Sequence, residues 1–249
     1  MKAGSTLRDN GRYLEAVNAY RTALEVAGRA SEPAIDRAAT LVAIGWVRQL
    51  QGHAHEAEHI WLEVMKHSEG LPASLRANTR LLLGDVYMER HRYRMAGETF
   101  SDCLNDFETN QEQQMVPRVL TRIADAYTNQ SRYLEALPLL KRAMELLDHA
   151  EVPGIDLAIV LHTLANVYSR LGNVYEADRL FERSLAMGES LLGGEDPRLA
   201  KPLMVYARHL RRTKRKQFAK EIEARATDLS ARAALLHQTV NVNALRSGR

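Results

Sequence analysis

LHTLANVYSRLGNVYEADRLFERSL, residues 161–185, decides the fold. Leu161, Leu164, Ala165, Tyr168, Gly172, Ala177, Phe181 and Ser184 fall at relative positions 4, 7, 8, 11, 15, 20, 24 and 27 of a unit that recurs along the chain. A step back of 41 residues meets Leu120, Ile123, Ala124, Tyr127, Ala136, Leu140 and Ala143, and another 40 meets Leu83, Gly84, Tyr87, Ala96, Phe100 and Cys103. Further steps of 39 and 41 reach Leu41, Ile44, Gly45, Gly52, Ala57, Trp61 and Val64, then Gly4, Gly11, Ala16, Tyr20 and Ala23. Forward by 42 lie Leu203, Tyr206, Ala207, Leu210, Ala219 and Ala226. Six units cover nearly all of the 249 residues.

Small residues at positions 8, 20 and 27 let two antiparallel helices approach closely, and large ones at 4, 7, 11 and 24 fill the space to the next unit. One helix pair cannot bury its apolar face alone, so the pairs must stack. Pro33, Pro72 and Pro153 each stand five residues before position 1 of their unit, where a first helix would begin. The GGEDP turn over 193–197 does the same before the last unit, and Pro138 falls early in a second helix, where it bends more than it breaks.

This pattern resembles the tetratricopeptide repeat, whose helix–turn–helix unit carries W-x2-L-G-x2-Y…A-x3-F. The longer spacing of 39–42 resembles that of kinesin light chains, as does YEADRLFERSL…ESLLGGEDPRLA over 175–200. Many bacterial tetratricopeptide proteins share this repeat style. The fold class expected is all-α: a right-handed α-solenoid over 1–236, with repeats of about 1–32, 33–71, 72–112, 113–152, 153–195 and 196–236. The last helix is expected from near Lys216 to about Leu236, and 237–249 as an extended or disordered tail. Gly4 and Leu7 already occupy positions 8 and 11, so the N-terminus enters inside a first helix.

Composition agrees with helix and excludes several classes. Gly (14) and Pro (7) are scarce. No apolar run approaches the ~20 residues that span a bilayer, and residues 1–30 lack an apolar signal-peptide core. Cys103 is the lone cysteine, so no intramolecular disulfide forms, which suits a reducing, cytoplasmic setting. It takes a small-residue position between helices and reads as a packed thiol. There is no G-x-S-x-G, Walker loop, G-x-G-x-x-G or C-x-x-C pair, and no cofactor is expected.

His55-Glu56-Ala57-Glu58-His59 matches H-E-x-x-H, a zinc-peptidase signature. In repeat frame, however, Glu56-Ala57 are positions 19 and 20, which are also Glu-Ala at Glu15, Glu135 and Glu176. No third ligand follows at metzincin spacing, where Leu62 and Met65 stand. The motif reads as a by-product of the repeat, with a zinc hydrolase as the remote alternative.

The resemblance implies that first helices line a concave groove through positions 2, 5, 6, 9, 12 and 13. Those positions offer Trp46 within an apolar patch of the second repeat, and Asn78 and Asp85 in the third. The fourth offers Arg118, Arg122, Asp125 and Asn129, beside Thr121 and Thr128. The fifth offers His162, Asn166 and Arg170, beside Thr163 and Ser169, and the sixth Lys201, Arg208, Arg211 and Arg212. His162-Thr163 and Met204-Val205 replace the paired asparagines of the light chains. A groove apolar at one end and Arg/Asn-lined at the other suits an extended peptide or helix of acidic character, because Arg forks hold carboxylates or phosphates bidentately. The expected function is a non-enzymatic scaffold for a protein partner, with self-association through the Trp46 helix as a further contact.

Charge is uneven. The overall +3 combines a net +8 in residues 198–225 with −5 in the remainder. RHLRRTKRKQFAK, residues 208–220, reads as the polar cap of the solenoid, as a site for an acidic protein, or as a nucleic-acid contact.

Overall fold

The six first helices all end in the same way. The N–H of position 16 donates to the carbonyl of position 11, five residues back: Arg12 to Leu7, His53 to Arg48, Arg92 to Tyr87, Arg132 to Tyr127, Asn173 to Tyr168 and Arg215 to Leu210, at 2.8–3.0 Å. Between them, position 15 takes the left-handed conformation that this closure needs. Glycine supplies it at Gly11, Gly52 and Gly172, while His91, Ser131 and Lys214 adopt it with a side chain in place. These six turns make the helix pairs.

The structure, a computed structural model, describes residues 2–27, 33–148 and 154–246. It divides into two compact units, one built on residues up to Gln113 and one on Gln114–Val240. The first contains α1 (Lys2–Asp9), α2 (Tyr13–Ala27), α3 (Pro33–Leu50), α4 (Ala54–Lys66), α5 (Ala73–Glu89) and α6 (Tyr93–Thr109). The second contains α7 (Val116–Asn129), α8 (Tyr133–Asp148), α9 (Ile155–Leu171), α10 (Val174–Leu192), α11 (Ala200–Arg212) and the part of α12 (Lys216–Arg246) up to Val240. In each unit α-helices pair in chain order and stack as an all-α solenoid, with no strand among the described residues. First helices also touch first helices: α3 meets α5, and α9 meets both α7 and α11.

The core is the periodic pattern made solid. At position 20, Ala16, Ala57, Ala96, Ala136, Ala177 and Ala219 are all 0 % exposed. Tyr20, Trp61, Phe100, Leu140 and Phe181 at position 24 are buried against the preceding helix. In the first unit that approach requires glycine, since a Cβ on Gly45 would overlap the Trp61 ring and one on Gly84 the Phe100 ring. Trp61 uses the closeness to donate its indole N–H to the Val42 carbonyl at 3.1 Å. Position 27 is a second stitch: Cys103 Sγ lies 3.2 Å from the Ala77 carbonyl, and Ser184 Oγ donates to the Ala158 carbonyl at 2.8 Å.

The expected helix starts hold where they are described. α3 begins at Pro33 and Pro72 caps α5, whereas Pro153 lies outside the described residues. Pro138 is inside an unbroken α8. Its ring sits in the second turn, so only one ladder bond is forfeited. The end of the chain differs from expectation. α12 does not stop near Leu236 but continues to Arg246, and no glycine or proline interrupts the sequence from Lys216 until Gly248. Loss of apolar periodicity therefore does not end this helix, and 247–249 lie outside the described residues.

Candidate functional site: the first-helix face of the second unit

In the first unit the candidate residues are spread over two helices. Trp46 is 41 % exposed on α3, and the Arg8 guanidinium stacks 4.0 Å above its ring, covering one face of the indole. Asn78 is exposed on α5, and Asp85 is half-buried further along the same helix. Gln49 of α3 donates to Glu89 of α5 at 3.1 Å, tying these two first helices together.

The zinc-like letters resolve into two unlike glutamates. Glu56 is exposed and lies 3.3 Å from Arg48 Nε and 3.2 Å from His53 Nδ1. Glu58 is buried, held by Arg90 and by Arg92, whose Nη1 donates at 2.8 Å. His55 and His59 are exposed on α4. Among the described residues no group of three or more His, Cys, Asp or Glu is placed to hold a metal ion. Asp106 repeats the buried-acid arrangement on α6, where Arg76 and Arg80 of α5 pair with it.

In the second unit the first helices α7, α9 and α11 carry the candidates. Arg118 is exposed on α7. Arg122 and Asp125 are half-buried, and Asn129 turns its amide back to the Asp125 carbonyl at 2.8 Å. On α9, His162, Asn166 and Arg170 follow one another at helical spacing along one face. His162 packs edge-on to Phe181 at 5.3 Å, and its Nδ1 is buried with no hydrogen-bond partner among the described residues. Burial and then the nearby Arg208 push its pKa down to about 4, so the ring is neutral at pH 7. On α11, Lys201 and Arg208 are exposed.

Four positions expected in the groove are instead interior. Thr121, Thr128, Thr163 and Ser169 are buried, and the first and third return their hydroxyls to carbonyls four residues back. Arg211 is also turned to a structural task, pairing through both Nε and Nη2 with Glu223 of α12. Arg212 donates to the Ser169 hydroxyl.

Ser169 belongs to a network that no local motif announced. His209 Nδ1 lies 2.5 Å from Ser169 Oγ, its Nε2 lies 2.8 Å from Asp178 Oδ1, and Arg215 Nη2 reaches the same oxygen at 2.5 Å. The carboxylate takes the Nε2–H, which leaves Nδ1 to accept from the serine hydroxyl. Burial tends to raise Asp178, but hydrogen bonds from Arg215 and His209 outweigh it and hold the carboxyl below its usual range. His209 is lowered by burial, against the pull of Asp178. The order Ser–His–Asp is that of a hydrolase triad. Here, however, the serine is 7 % exposed, its oxygen is taken by Arg212, and it sits inside a helix whose N–H groups are committed. The network clamps α9, α10 and α11 together.

The same engagement breaks up the basic run over 208–220. Arg211 faces Glu223 and Arg215 faces Asp178, so these two charges are spent within the protein.

Two adjoining cavities open beside α9. One, of about 190 Å³, is walled by Ile155, Ile159, Leu185, Gly188, Leu199 and Pro202. The other, of about 300 Å³, is bounded by Arg118, Arg122, Asp156 and Arg198. They share Ile155, Ile159 and Arg198, and Ile159 is 45 % exposed between them. No helix among the described residues is long and apolar enough to cross a membrane.

Known structures show the same architecture. Kinesin light chain TPR-like repeats of Podosopora anserina superpose with a TM-score of 0.61 at 20 % identity, over 82 % of this chain and 99 % of theirs. BtubC (BKLC) of P. vanneervenii gives 0.63 at 18 % identity, over 92 % of each chain. NprR, in complex with its cognate peptide NprX, gives 0.70 at 16 % identity, with 89 % of this chain matching 62 % of that one. At these identities the likeness is one of fold. No curated protein matches the sequence. The tetratricopeptide repeat signature matches residues 1–70 and 156–232, more than half of the length. The chain belongs to the tetratricopeptide-repeat family.

Proposed function

We propose that this chain is a non-enzymatic cytoplasmic adaptor that holds an acidic peptide or helical segment of a partner protein against its first helices. The observation that carries the reading is the set Arg118, Arg170 and Arg208. These three guanidiniums are exposed on α7, α9 and α11, of which α9 touches both others, and none has an ion pair among the described residues. Unpaired arginines along first helices are what an acidic segment would complement, and Arg118 among them lines the cavity that adjoins the apolar one. NprR, similar in fold, is known in complex with a peptide, which supports a peptide as the ligand class. Asn166 on the same face of α9 offers both a donor and an acceptor to a peptide backbone.

The test is an arrayed peptide library probed with the full chain and with Arg118→Glu/Arg170→Glu/Arg208→Glu, after circular dichroism confirms equal helix. Acidic peptides bound by wild type and lost in the triple variant support the reading. Equal binding by both proteins, or no peptide at all, overturns it.

A further inference from the structure

Three arginines gather where the end of α9 faces α11. Arg212 donates to Ser169 Oγ, Arg170 is the next residue along the chain, and Arg208 stands one helical turn before Arg212. Burial, the charge of Arg170 and, less strongly, that of Arg208 all lower the pKa of Arg212, so the three positive charges feel one another. Such a cluster is unusual for this unit. Arg132, Arg179, Arg198, Arg211, Arg215 and Arg225 each meet a carboxylate. Arg170, Arg208 and Arg212 meet none among the described residues, and Asp178 and Glu223 are committed to other cations. The neighbouring His162 is neutral and offers no negative charge.

Like charges held together without a counterion are a standing electrostatic cost. A single carboxylate offsets one of three. A phosphate monoester brings a charge of roughly −1.5 to −2 and three strong acceptor oxygens, which matches three guanidinium forks. We propose that Arg170, Arg208 and Arg212 form a subsite for a phosphoryl group carried by the partner segment. This rests on the adaptor reading above and names the chemical mark that the segment bears. Ser169 holds Arg212 in place, so one of the three forks is already oriented before the ligand arrives.

The first measurement is calorimetric titration of the full chain with inorganic phosphate, against acetate at matched ionic strength. Phosphate should bind saturably and acetate should not. Arg170→Gln and Arg208→Gln, both at exposed positions, should each weaken phosphate by about tenfold or more, as loss of a charge-assisted fork implies. Arg183→Gln, exposed on α10, should leave it unchanged. Phosphate no better than acetate, or indifferent to both substitutions, overturns the subsite. A second arm compares two peptide libraries that differ only in serine or phosphoserine at a fixed central position. Preference for the phosphorylated set, lost in Arg208→Gln, supports the proposal. Equal binding of unphosphorylated acidic peptides overturns the subsite while the adaptor reading stands. Binding of neither library overturns both. A single-stranded oligonucleotide that displaces bound phosphopeptide, with affinity falling steeply in salt, would instead assign the cluster to nucleic acid and overturn the proposal.

Discussion

The hydroxyl of Ser169 and the ring of His209 meet at 2.5 Å although 40 residues separate them in the chain. One stands near the end of α9 and the other near the end of α11, and His209 reaches on to Asp178 of α10. Three helices from two successive repeats are thereby joined through one buried imidazole.

Removing the hydroxyl should be felt through its partner. Ser169→Ala leaves the buried His209 Nδ1 without a bond, and a buried polar group without a partner costs about 1–3 kcal/mol. Urea denaturation of Ser169→Ala, His209→Gln and the double variant should give a coupling energy clearly different from zero. Strict additivity would mean that the two groups do not act together.

Stability should fall as the solution is acidified, before most carboxylates titrate. The pKa of His162 is lowered from 6.5 to about 4, so the folded state binds fewer protons than the unfolded one between those values. Its contribution is complete above the unfolded pKa and is lost as pH falls through that window, by on the order of 3 kcal/mol at the lower end. His209, lowered in the same direction by burial, adds to the slope. His162→Phe should flatten the dependence measured by urea titration from about pH 7.5 to 4.5. An unchanged slope would contradict the burial of this ring.

The HEAEH segment makes a sharp contrast between two acids two residues apart. Glu58→Gln should destabilise by about 3 kcal/mol, because it leaves Arg90 and Arg92 facing a neutral group at a buried site. Glu56→Gln, at an exposed pair, should cost less than about 1 kcal/mol. Thermal melts of the two variants rank them directly, and the reverse order would refute the assignment.

Glycine is needed at one kind of place and wanted at another. Gly84→Ala puts a methyl into the Phe100 ring and should cost about 1–3 kcal/mol through overpacking. Lys214→Gly relieves a side chain held at φ 64° and should stabilise by about 0.5–1 kcal/mol. Chemical denaturation distinguishes these opposite signs.

The thiol should be silent until the protein opens. Burial drives the Cys103 pKa up to about 12 and the sulfur has no exposed surface. A thiol reagent should therefore label it only on unfolding. Cys103→Ser should stay within about 1.5 kcal/mol of wild type, since a hydroxyl there can donate to the Ala77 carbonyl as Ser184 does to Ala158.

Much of the fold was legible in advance because it depends on size at fixed intervals. The small residues at positions 8 and 20 and the aromatic or leucine at 24 are sterically determined by the neighbouring helix, and each is visible in the letters. The turns were legible for Gly11, Gly52 and Gly172, but not for His91, Ser131 and Lys214, whose left-handed backbone nothing in the side chain announces. The end of α12 was misplaced because apolar period marks a packed helix and not every helix.

The candidate site was only half legible. Frame positions found Arg118, Arg170 and Arg208, yet they also selected Arg211, which pairs with Glu223, and they passed over His209. The sequence by itself determined how many helix pairs there are, where each turns and which residues must lie between them, because close packing allows only small atoms at the crossings. Only the tertiary structure decided which charges are spent inside the protein and which stay without an ion pair among the described residues. Ion pairing depends on distances across helices that are far apart in the chain, and no local pattern of letters encodes them.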